Sequence, residues 1–326
     1  MADIAVCVTT HRCPDGLRRT LKALAELDTV HRITVIVGDT DQGQADSAGL
    51  AVCSSMARAG YRWPLFATPL AHRNAARVRN AMVAAALDCG APVYIAFLND
   101  RMAPALNWAD RMVGKLRDFG ADMVTCPVDM VCEAGAERPA DAIRERIFPT
   151  PKDGNPAQLV SLDNTMARSS LFPLDRKPWL DPEATLLGLH DALFLTRRGR
   201  EGVRLAVAER TSIVHLTDAD KATPAHLRRR VRERARIAAA TRQIMREMSG
   251  EAGVPFADIV RAARRIASGG LRFLGGVWRP GVRQAGTARI AVGVGMLDGL
   301  FSPRRRPERR RASRSAMPAG YTDNRI

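Results

Sequence analysis

Three apolar runs with the length of buried strands end in polar side chains that could hold a ligand. The first run ends at Thr10 and Arg12, the second at Asp39, and the third at the sequence Asn-Asp-Arg (99–101). Their hydroxyl, guanidinium, amide and carboxylate groups supply both hydrogen-bond donors and acceptors. Because ligands of open α/β sheets bind beyond the carboxyl ends of the strands, we expect these side chains to line one site.

A second group of residues has types suited to phosphate binding or proton transfer. Arg79 and Asn80 lie near the start of a predicted helix, where cationic and amide donors can hold a diphosphate. Asp191 stands in another helical segment, where a carboxylate can either accept a proton or cap the helix. His215 ends a late predicted strand, a position at which histidine is often structural.

The elements that must position these residues alternate between strand and helix. Buried strands are predicted over residues 4–10, 32–39, 93–100 and 121–128, and helices over 17–27, 46–60, 74–90 and 108–120. Such alternation predicts a mainly parallel central sheet covered by helices on both faces. Further along, residues 133–160 are predicted to form a long loop or lid, residues 203–216 a single strand, and residues 224–248 an Arg-rich helix.

The composition is that of a globular protein with a basic C-terminal part. The chain has 326 residues, 46% of them hydrophobic and 26% charged, and a formal net charge of +16. Residues 201–326 carry 26 Lys and Arg but only 11 Asp and Glu. This asymmetry predicts contact with a polyanion or an anionic membrane. The six cysteines form no CxxC pair, so neither a zinc site nor a redox site is expected.

Five segments, in this order, resemble motifs of the family 2 glycosyltransferases, which have the GT-A fold. They are VCVTTHRCPDGLRRTLKAL (6–24), VIVGDTD (35–41), RNAARVRNAMVAAAL (73–87), YIAFLNDRMAPALNW (94–108) and VSLDNTMARSSLF (160–172), the last continued by WLDPEATLLGLHDALFLTRRGREG (179–202). The likeness is greatest to bacterial exopolysaccharide enzymes of the succinoglycan-glucosyltransferase type. It implies a GT-A nucleotide-diphospho-sugar transferase fold, of the α/β class, with a C-terminal helical appendage.

The resemblance places the sugar donor at the ends of the first strands. Thr10, Arg12 and Asp39 would hold the nucleotide, together with Arg79 and Asn80 of the family's Ala-Arg-Asn helix start. The implied donor is a nucleotide-activated sugar, with a UDP-sugar as the expected form.

The sequence departs from the family where an Asp-x-Asp signature is usual. Here the residues are Asn99, Asp100 and Arg101, and a later segment adds His215 and Lys221 beside the diphosphate. Mg²⁺ and Mn²⁺ prefer several oxygen ligands including anions, so this set predicts weak metal binding at best, through Asp100. Three interpretations stay open. Arg101 replaces the metal at the leaving diphosphate, the site has decayed and only binds nucleotide, or Asp100 and His215 hold a metal weakly.

The acceptor side of the resemblance lies in the fifth segment. It implies acceptor contacts at Asn164, Trp179 and His190, the last standing where the family usually has Glu. Asp191 is the expected base, because an inverting transfer needs one carboxylate to take the proton from the acceptor hydroxyl.

The basic C-terminal part mixes aromatic residues with arginines, which predicts a surface that lies on a membrane. Seven arginines in RRRPERRRASR (304–314) would add attraction to anionic lipid. A solubilising tail behind an ordinary helical appendage is the open alternative. The aromatic content of 5% and the lack of a recognition motif argue against nucleic acid.

The sequence thus predicts a GT-A-like domain over residues 1–222, an Arg-rich helical appendage over 223–301 and a disordered basic tail over 302–326. The implied activity is inverting transfer of a sugar to a glycan acceptor, with a lipid-linked glycan as the candidate, in cell-surface polysaccharide biosynthesis. The N-terminus lacks the features of a signal peptide, so the expected location is cytoplasmic, on the inner face of the cell membrane. The alternative function is that of a degenerate, nucleotide-binding or scaffold protein of the same fold.

Overall fold

The structure, a computed structural model, describes residues 3–41, 47–70, 74–133, 139–251, 253–276 and 278–301, except for the side chain of residue 186. The predicted tail over 302–326 lies outside the described residues. In the described part of the chain, the strands are β1 (Ile4–Thr10), β2 (Ile33–Asp39), β3 (Leu65–Pro69), β4 (Tyr94–Asn99), β5 (Met102–Pro104), β6 (Met123–Thr125), β7 (Val128–Cys132), β8 (Thr165–Arg168), β9 (Leu205–Val207) and β10 (Ile213–Thr217).

The helices cover both faces of the main sheet and then continue as a C-terminal layer. They are α1 (Pro14–Ala25), α2 (Ala48–Arg58), α3 (Ala75–Asp88), α4 (Trp108–Asp118), α5 (Asp141–Ile147), α6 (His190–Arg200), α7 (Pro224–Met248), α8 (Phe256–Gly275) and α9 (Pro280–Phe301). The predicted Arg-rich helix over 224–248 is confirmed as α7, with the Thr223 side chain accepting from the His226 amide at its start.

The larger sheet has seven strands in the order β3-β2-β1-β4-β8-β6-β9. Its strand pairs are parallel except for those that β8 makes with β4 and β6, which are antiparallel. A smaller sheet has the order β5-β10-β7. The sheet is therefore mainly parallel, as the sequence predicts.

Helices on both sides of the main sheet explain why its strands are continuously apolar. Along β1, Ile4, Val6 and Val8 belong to the core that includes residues of α1 and α4. Ala5 and Cys7 belong to the core that includes residues of α3 and α6. Successive side chains of a strand point to opposite faces, so both sets must be apolar.

The register of the parallel strands brings the predicted polar ends together. Thr10 at the end of β1 pairs with Asp39 of β2, and Thr9 pairs with Asn99 of β4. The C-terminal ends of three strands therefore meet at one edge of the sheet, which is where the site lies.

Two predictions about the middle of the chain are wrong. Residues 203–216 form two strands instead of one, because the exposed pair Glu209 and Arg210 separates β9 in the large sheet from β10 in the small one. The predicted loop over 133–160 contains a helix, α5, whose residues Ile143 and Ile147 pack against α7 and α9.

Candidate active site

A cavity of about 720 Å³ opens at the ends of β1 and β4 and at the start of α3. Of the predicted site residues, it is lined by Thr10, Arg12, Arg79, Asn99, Asp100, Arg101 and His190. The structure thus gathers part of both predicted groups around what we call the first cavity, whereas Asp39 and Asn80 do not line it.

Asp100 closes the floor of the first cavity by bonding to the loop after β1. One carboxylate oxygen, Oδ2, accepts from the Thr10 hydroxyl at 2.9 Å and from the His11 amide at 3.2 Å. Burial raises the pKa of Asp100, and these two hydrogen bonds partly offset that rise. Arg12 follows in a left-handed conformation with φ 49°, and its Nε donates to Asp41 at 3.1 Å. A non-glycine residue in that region suggests a loop held in shape for binding.

Asp39 organises the neighbouring loop and does not line either cavity. Its Oδ1 accepts from the Asp41 amide at 2.9 Å and its Oδ2 from the Ser47 hydroxyl at 2.5 Å. A Cβ on Gly49 would lie 2.2 Å from that Oδ2, so only glycine lets α2 approach this closely. Thr40, the next residue along, lines the first cavity instead.

Arg101 is held by an acid that sequence reasoning missed. Its guanidinium forms an ion pair with Asp218, which also accepts from Lys221 Nζ at 2.6 Å. The hydrogen bond from Arg101 lowers the pKa of Asp218 to about 2. Lys221 lines neither cavity, whereas Arg101 lines the first. A diphosphate would therefore meet Arg101 beside a competing carboxylate.

The residues at the Asp-x-Asp position do not fit a divalent cation. Asn99 Oδ1 accepts from the Arg101 amide at 3.0 Å, and one oxygen of Asp100 already takes two hydrogen bonds. Among the described residues, no three His, Cys, Asp or Glu side chains cluster as metal ligands would. A hard cation needs several free anionic oxygens, and the guanidinium of Arg101 stands where one is usual.

Arg79 joins two acids at the centre of the site. Its Nη2 donates to Asp163 Oδ1 at 2.6 Å and to Asp191 Oδ2 at 3.3 Å. Asp163 also accepts from the side-chain amide of Asn99 at 3.1 Å, which connects the end of β4 to the two acids. Burial alone would lower the pKa of Arg79, but the two carboxylates hold it above its ordinary value.

Asp191 presents one carboxylate oxygen without a partner. Its Oδ2 accepts from the Leu162 amide at 2.9 Å, the Ser161 hydroxyl at 3.2 Å and Arg79. Its Oδ1 is buried and has no hydrogen-bond partner among the described residues, and His190 Nε2 lies 3.5 Å from it. Buried oxygens are normally satisfied, so Oδ1 of Asp191 is an exception within the described chain.

A second cavity of about 600 Å³ adjoins the first and contains Asp191 and Asp163. Both cavities are lined by Arg79, Asn99 and His190, so they are contiguous. Two further buried nitrogens at this junction, Arg79 Nη1 and His190 Nδ1, have no hydrogen-bond partner in the described chain. The junction thus carries three unsatisfied polar atoms from three adjacent side chains.

His215 lines the second cavity as a neutral ring. Burial lowers its pKa to about 4, and the nearby charges of Arg230 and Arg101 add to that shift. Its ring lies 4.8 Å from that of Phe148, and its Nδ1 is 3.3 Å from the Thr217 hydroxyl.

The predicted acceptor contact at Trp179 and the nucleotide contact at Asn80 do not fit the structure. Trp179 is buried in the core against Phe172, and its Nε1 donates to the Pro173 carbonyl at 2.8 Å. The Asn80 amide exchanges two hydrogen bonds with the backbone of Leu180 and lines neither cavity. Both residues therefore fasten the loop over 173–182 to the domain.

The predicted acceptor residue Asn164 lines the second cavity with its side chain already occupied. The amide donates to the Cys126 carbonyl at 2.6 Å, and its oxygen accepts from the Cys126 thiol at 3.1 Å. Its φ of 62° is accommodated at the turn into β8.

Comparison with solved structures identifies the architecture. The mannosyltransferase PcManGT from Pyrobaculum calidifontis, solved with GDP-Man and Mn²⁺, superposes with a TM-score of 0.58 at 16% identity, over 92% of this chain and 87% of that one. TarS 1-349 from S. aureus, solved with UDP-GlcNAc, gives 0.50 at 13% identity over 89% and 90%. GalNAc-T7, solved with UDP, GalNAc and Mn²⁺, gives 0.50 at 12% over 74% and 51%.

The chain has the GT-A fold. The fold class expected from the sequence is therefore confirmed, while the resemblance to exopolysaccharide enzymes stays a prediction. No protein-family model matches the sequence, and no curated protein matches it as a relative.

Two acids of the candidate site, Asp163 and Asp218, were missed by sequence reasoning. Asp163 directly precedes Asn164, which the resemblance singled out, and Asp218 lies three residues after His215. Each therefore lies within three residues of a predicted site residue, and this proximity is the one local indication that the sequence offered. Their partners Arg79 and Arg101 are 84 and 117 residues away, so spacing could not reveal the ion pairs.

Proposed function

We propose that the protein is an inverting glycosyltransferase that moves a sugar from a nucleotide-sugar to a glycan acceptor. The observation that carries this proposal is the junction of two contiguous cavities: Arg79 and His190 line both, and Asp191, with one carboxylate oxygen unpaired in the described chain, lines the second beside them. The first cavity suits a nucleotide and its diphosphate, and the second suits an acceptor. The neighbours of the same fold were solved with UDP-GlcNAc or GDP-Man, which supports a nucleotide-sugar donor.

In this mechanism Asp191 is the base. The acceptor oxygen attacks the anomeric carbon while the bond from that carbon to the diphosphate oxygen breaks on the opposite face. The acceptor proton passes to Asp191 Oδ1, and the configuration at the anomeric carbon inverts. Arg79 keeps Asp191 oriented through its ion pair, and Arg101 stabilises the charge that develops on the diphosphate.

A degenerate, nucleotide-binding protein is the second candidate, because Arg101 is already paired with Asp218 and the usual acids are missing. A thermal-shift panel of UDP, GDP and their sugars, with Mn²⁺ or with EDTA, separates the two. Stabilisation by a nucleotide-sugar together with release of its sugar in EDTA supports the metal-independent enzyme. Stabilisation without turnover under either condition supports the binding protein.

The role of Asp191 is tested by Asp191→Asn. The amide cannot take the acceptor proton, so we expect a loss of turnover of at least about 10³-fold, with donor affinity changed less than about threefold. Turnover is measured as nucleoside diphosphate released, and Asp175→Asn, an exposed surface change, is the control. Turnover within a factor of ten of the parent protein would remove Asp191 from the role of base.

We further propose that this transferase works at the surface of a membrane, on a lipid-linked glycan for cell-surface polysaccharide. One side of α8 leaves large apolar residues in solvent, including Phe256, Leu271 and Leu274, and Trp278 follows them. Arginines of the same helix stand beside this row, at positions 261, 264 and 272. Such a face suits insertion between anionic lipid headgroups. No helix in the described chain is long and apolar enough to span a bilayer.

A further inference from the structure

One face of α7 turns a row of basic side chains into the second cavity. The residues of α7 that line it are His226, Arg229, Arg230, Glu233, Arg234 and Ile237. This spacing of three and four residues defines a single helix face. The opposite side of α7 packs on α5 and α9 through Leu227 and Val231, which fixes the orientation of the basic face.

The three arginines of this face lack a direct carboxylate partner in the described chain, and the charge of Arg229 adds to that of Arg236 in lowering the pKa of Glu233. Arg229, Arg230 and Arg234 make neither an ion pair nor a hydrogen bond to a carboxylate among the described residues. Glu233, the acid between them, gives both its oxygens to Arg236. Arg229 is exposed, whereas Arg230 and Arg234 are partly buried. A partly buried arginine without a counter-charge is costly, so these two point to an anion supplied from outside.

The other acids of the second cavity are engaged too. Asp163 and Asp191 both bind Arg79. Burial lowers the pKa of Arg230, to which repulsion from Arg101 adds, and burial lowers the pKa of Arg234 to about 10. In both residues burial disfavours the charged guanidinium, and no ion pair among the described residues compensates for it.

The position of Arg230 relates this row to the reacting groups. Its guanidinium lies 5.1 Å from the centre of the Phe148 ring, whose other neighbour is the ring of His215 at 4.8 Å. Arg234 follows one helical turn further along. Arg230 therefore lies on the side of the second cavity that Phe148 and His215 line.

We propose that the second cavity binds an acceptor that carries a phosphate or diphosphate group, held by Arg229, Arg230 and Arg234. Guanidinium groups bind phosphate through paired, charge-assisted hydrogen bonds, which neutral sugars cannot offer in return. The inference rests on the proposed function in one respect, because it takes the second cavity as the acceptor side. The same chemistry could come from a lipid diphosphate or from a soluble sugar phosphate.

The test compares phosphorylated probes with their neutral counterparts. Calorimetry measures binding of glucose 6-phosphate against glucose, and of geranyl diphosphate against geraniol, each with and without saturating UDP. We expect at least one phosphorylated probe to bind UDP-loaded protein at least about tenfold more tightly than its counterpart. Preference for geranyl diphosphate identifies a lipid source, and preference for glucose 6-phosphate a soluble one.

Substitutions of arginines on α7 test whether this helix is responsible for that binding. The double variant Arg230→Gln with Arg234→Gln should lower the affinity for the phosphorylated probe at least about tenfold and leave the affinity for UDP within about threefold of that of the parent protein. Arg234→Lys, which keeps the charge, should retain part of the affinity. The matched control is Arg228→Gln, an exposed arginine of the same helix that does not line the cavity. Thermal unfolding of each variant verifies that it is folded.

The outcomes separate this inference from the proposed function. The inference is overturned if no phosphorylated probe binds better than its neutral counterpart, or if the double variant binds it unchanged. It is also overturned if the double variant loses affinity for UDP and keeps its affinity for the probe, because the arginines would then bind the donor. If UDP fails to bind but a probe binds in an Arg230- and Arg234-dependent way, the proposed donor fails and the phosphate site stands.

Discussion

A single buried guanidinium holds both acids of the candidate site. Arg79 ion-pairs with Asp163 and Asp191, and it is only 6% exposed. Removing one partner of a buried pair leaves a charge without compensation, which costs about 3–5 kcal/mol. We expect Arg79→Ala to lower the free energy of unfolding by about that amount, measured by urea denaturation.

The same helix provides the control for this prediction. Arg77, two residues earlier on α3, is exposed and has no acid partner in the described structure. Arg77→Ala should change the free energy of unfolding by less than about 0.5 kcal/mol. Equal effects of the two substitutions would show that the ion pairs of Arg79 contribute little.

His215 should make the protein less stable in mild acid. Its pKa is about 4 in the folded protein, against 6.5 for an ordinary histidine. Over that range the unfolded chain binds a proton that the buried ring does not, so stability falls as the pH drops from about 6.5 to about 4. From the size of the shift, the loss at pH 5 is about 2 kcal/mol.

His215→Gln removes this dependence. The difference in unfolding free energy between pH 7 and pH 5 should be smaller in the variant by about 1–2 kcal/mol. His11→Gln, which replaces an exposed histidine, should show the dependence of the parent protein. A pH dependence in His215→Gln equal to that of the parent protein would contradict the assignment.

At the scale of elements, glycine sets how closely the C-terminal helices pack. A Cβ on Gly269 of α8 would lie 2.8 Å from the Gly286 carbonyl oxygen and 2.9 Å from the Ile290 amide nitrogen of α9. Its neighbour Gly270 has no atom within 4 Å of the same position. A Cβ would therefore clash with α9 at Gly269 and meet no atom at Gly270.

Substitution by alanine should separate these two glycines. Gly269→Ala forces the helix backbones apart and should destabilise the protein by about 1–3 kcal/mol. Gly270→Ala gains helix propensity without a clash and should stabilise it by up to about 1 kcal/mol. Melting temperatures measure both effects, and a Gly269→Ala variant at least as stable as the parent protein would show that the close approach of α8 and α9 is not needed.

The elements also show how far the sequence could be interpreted. The buried strand over 4–10 was predictable because its apolar residues serve two cores at once. The single strand predicted over 203–216 was wrong, because a local pattern does not tell which sheet each half joins. The basic face of α7 was equally hidden, since only the packing of Leu227 and Val231 shows which arginines face the cavity.

At the scale of the whole molecule, charge and exposed apolar surface coincide at the C-terminal layer. Phe256, Leu271, Leu274 and Trp278 are between 67% and 93% exposed. Helix geometry places the first three on one side of α8, and Trp278 follows the end of that helix. Isolated exposed apolar residues are ordinary, but an aligned row beside arginines marks a surface made for a partner. An anionic membrane matches both the apolar row and the net charge of +16.

Vesicle flotation tests this match. The protein should float with vesicles that contain about a third anionic lipid, and less with neutral vesicles. Leu271→Ser, Leu274→Ser and Trp278→Ser combined should lower the partition coefficient at least about tenfold, because a buried apolar side chain contributes about 1.5–3 kcal/mol. Leu174→Ser, an exposed leucine of the GT-A domain, is the control.

The contribution of charge is separated from that of the apolar row by salt and by truncation. Raising the ionic strength to about 1 M shortens the Debye length to about 3 Å, so it should weaken binding of the full chain. Removing residues 302–326 should reduce this salt effect and leave the effect of the triple variant. If the parent protein and the triple variant float equally, the α8 face is excluded as the membrane contact. If the parent protein dimerises and the triple variant does not, that face binds a second copy of the chain.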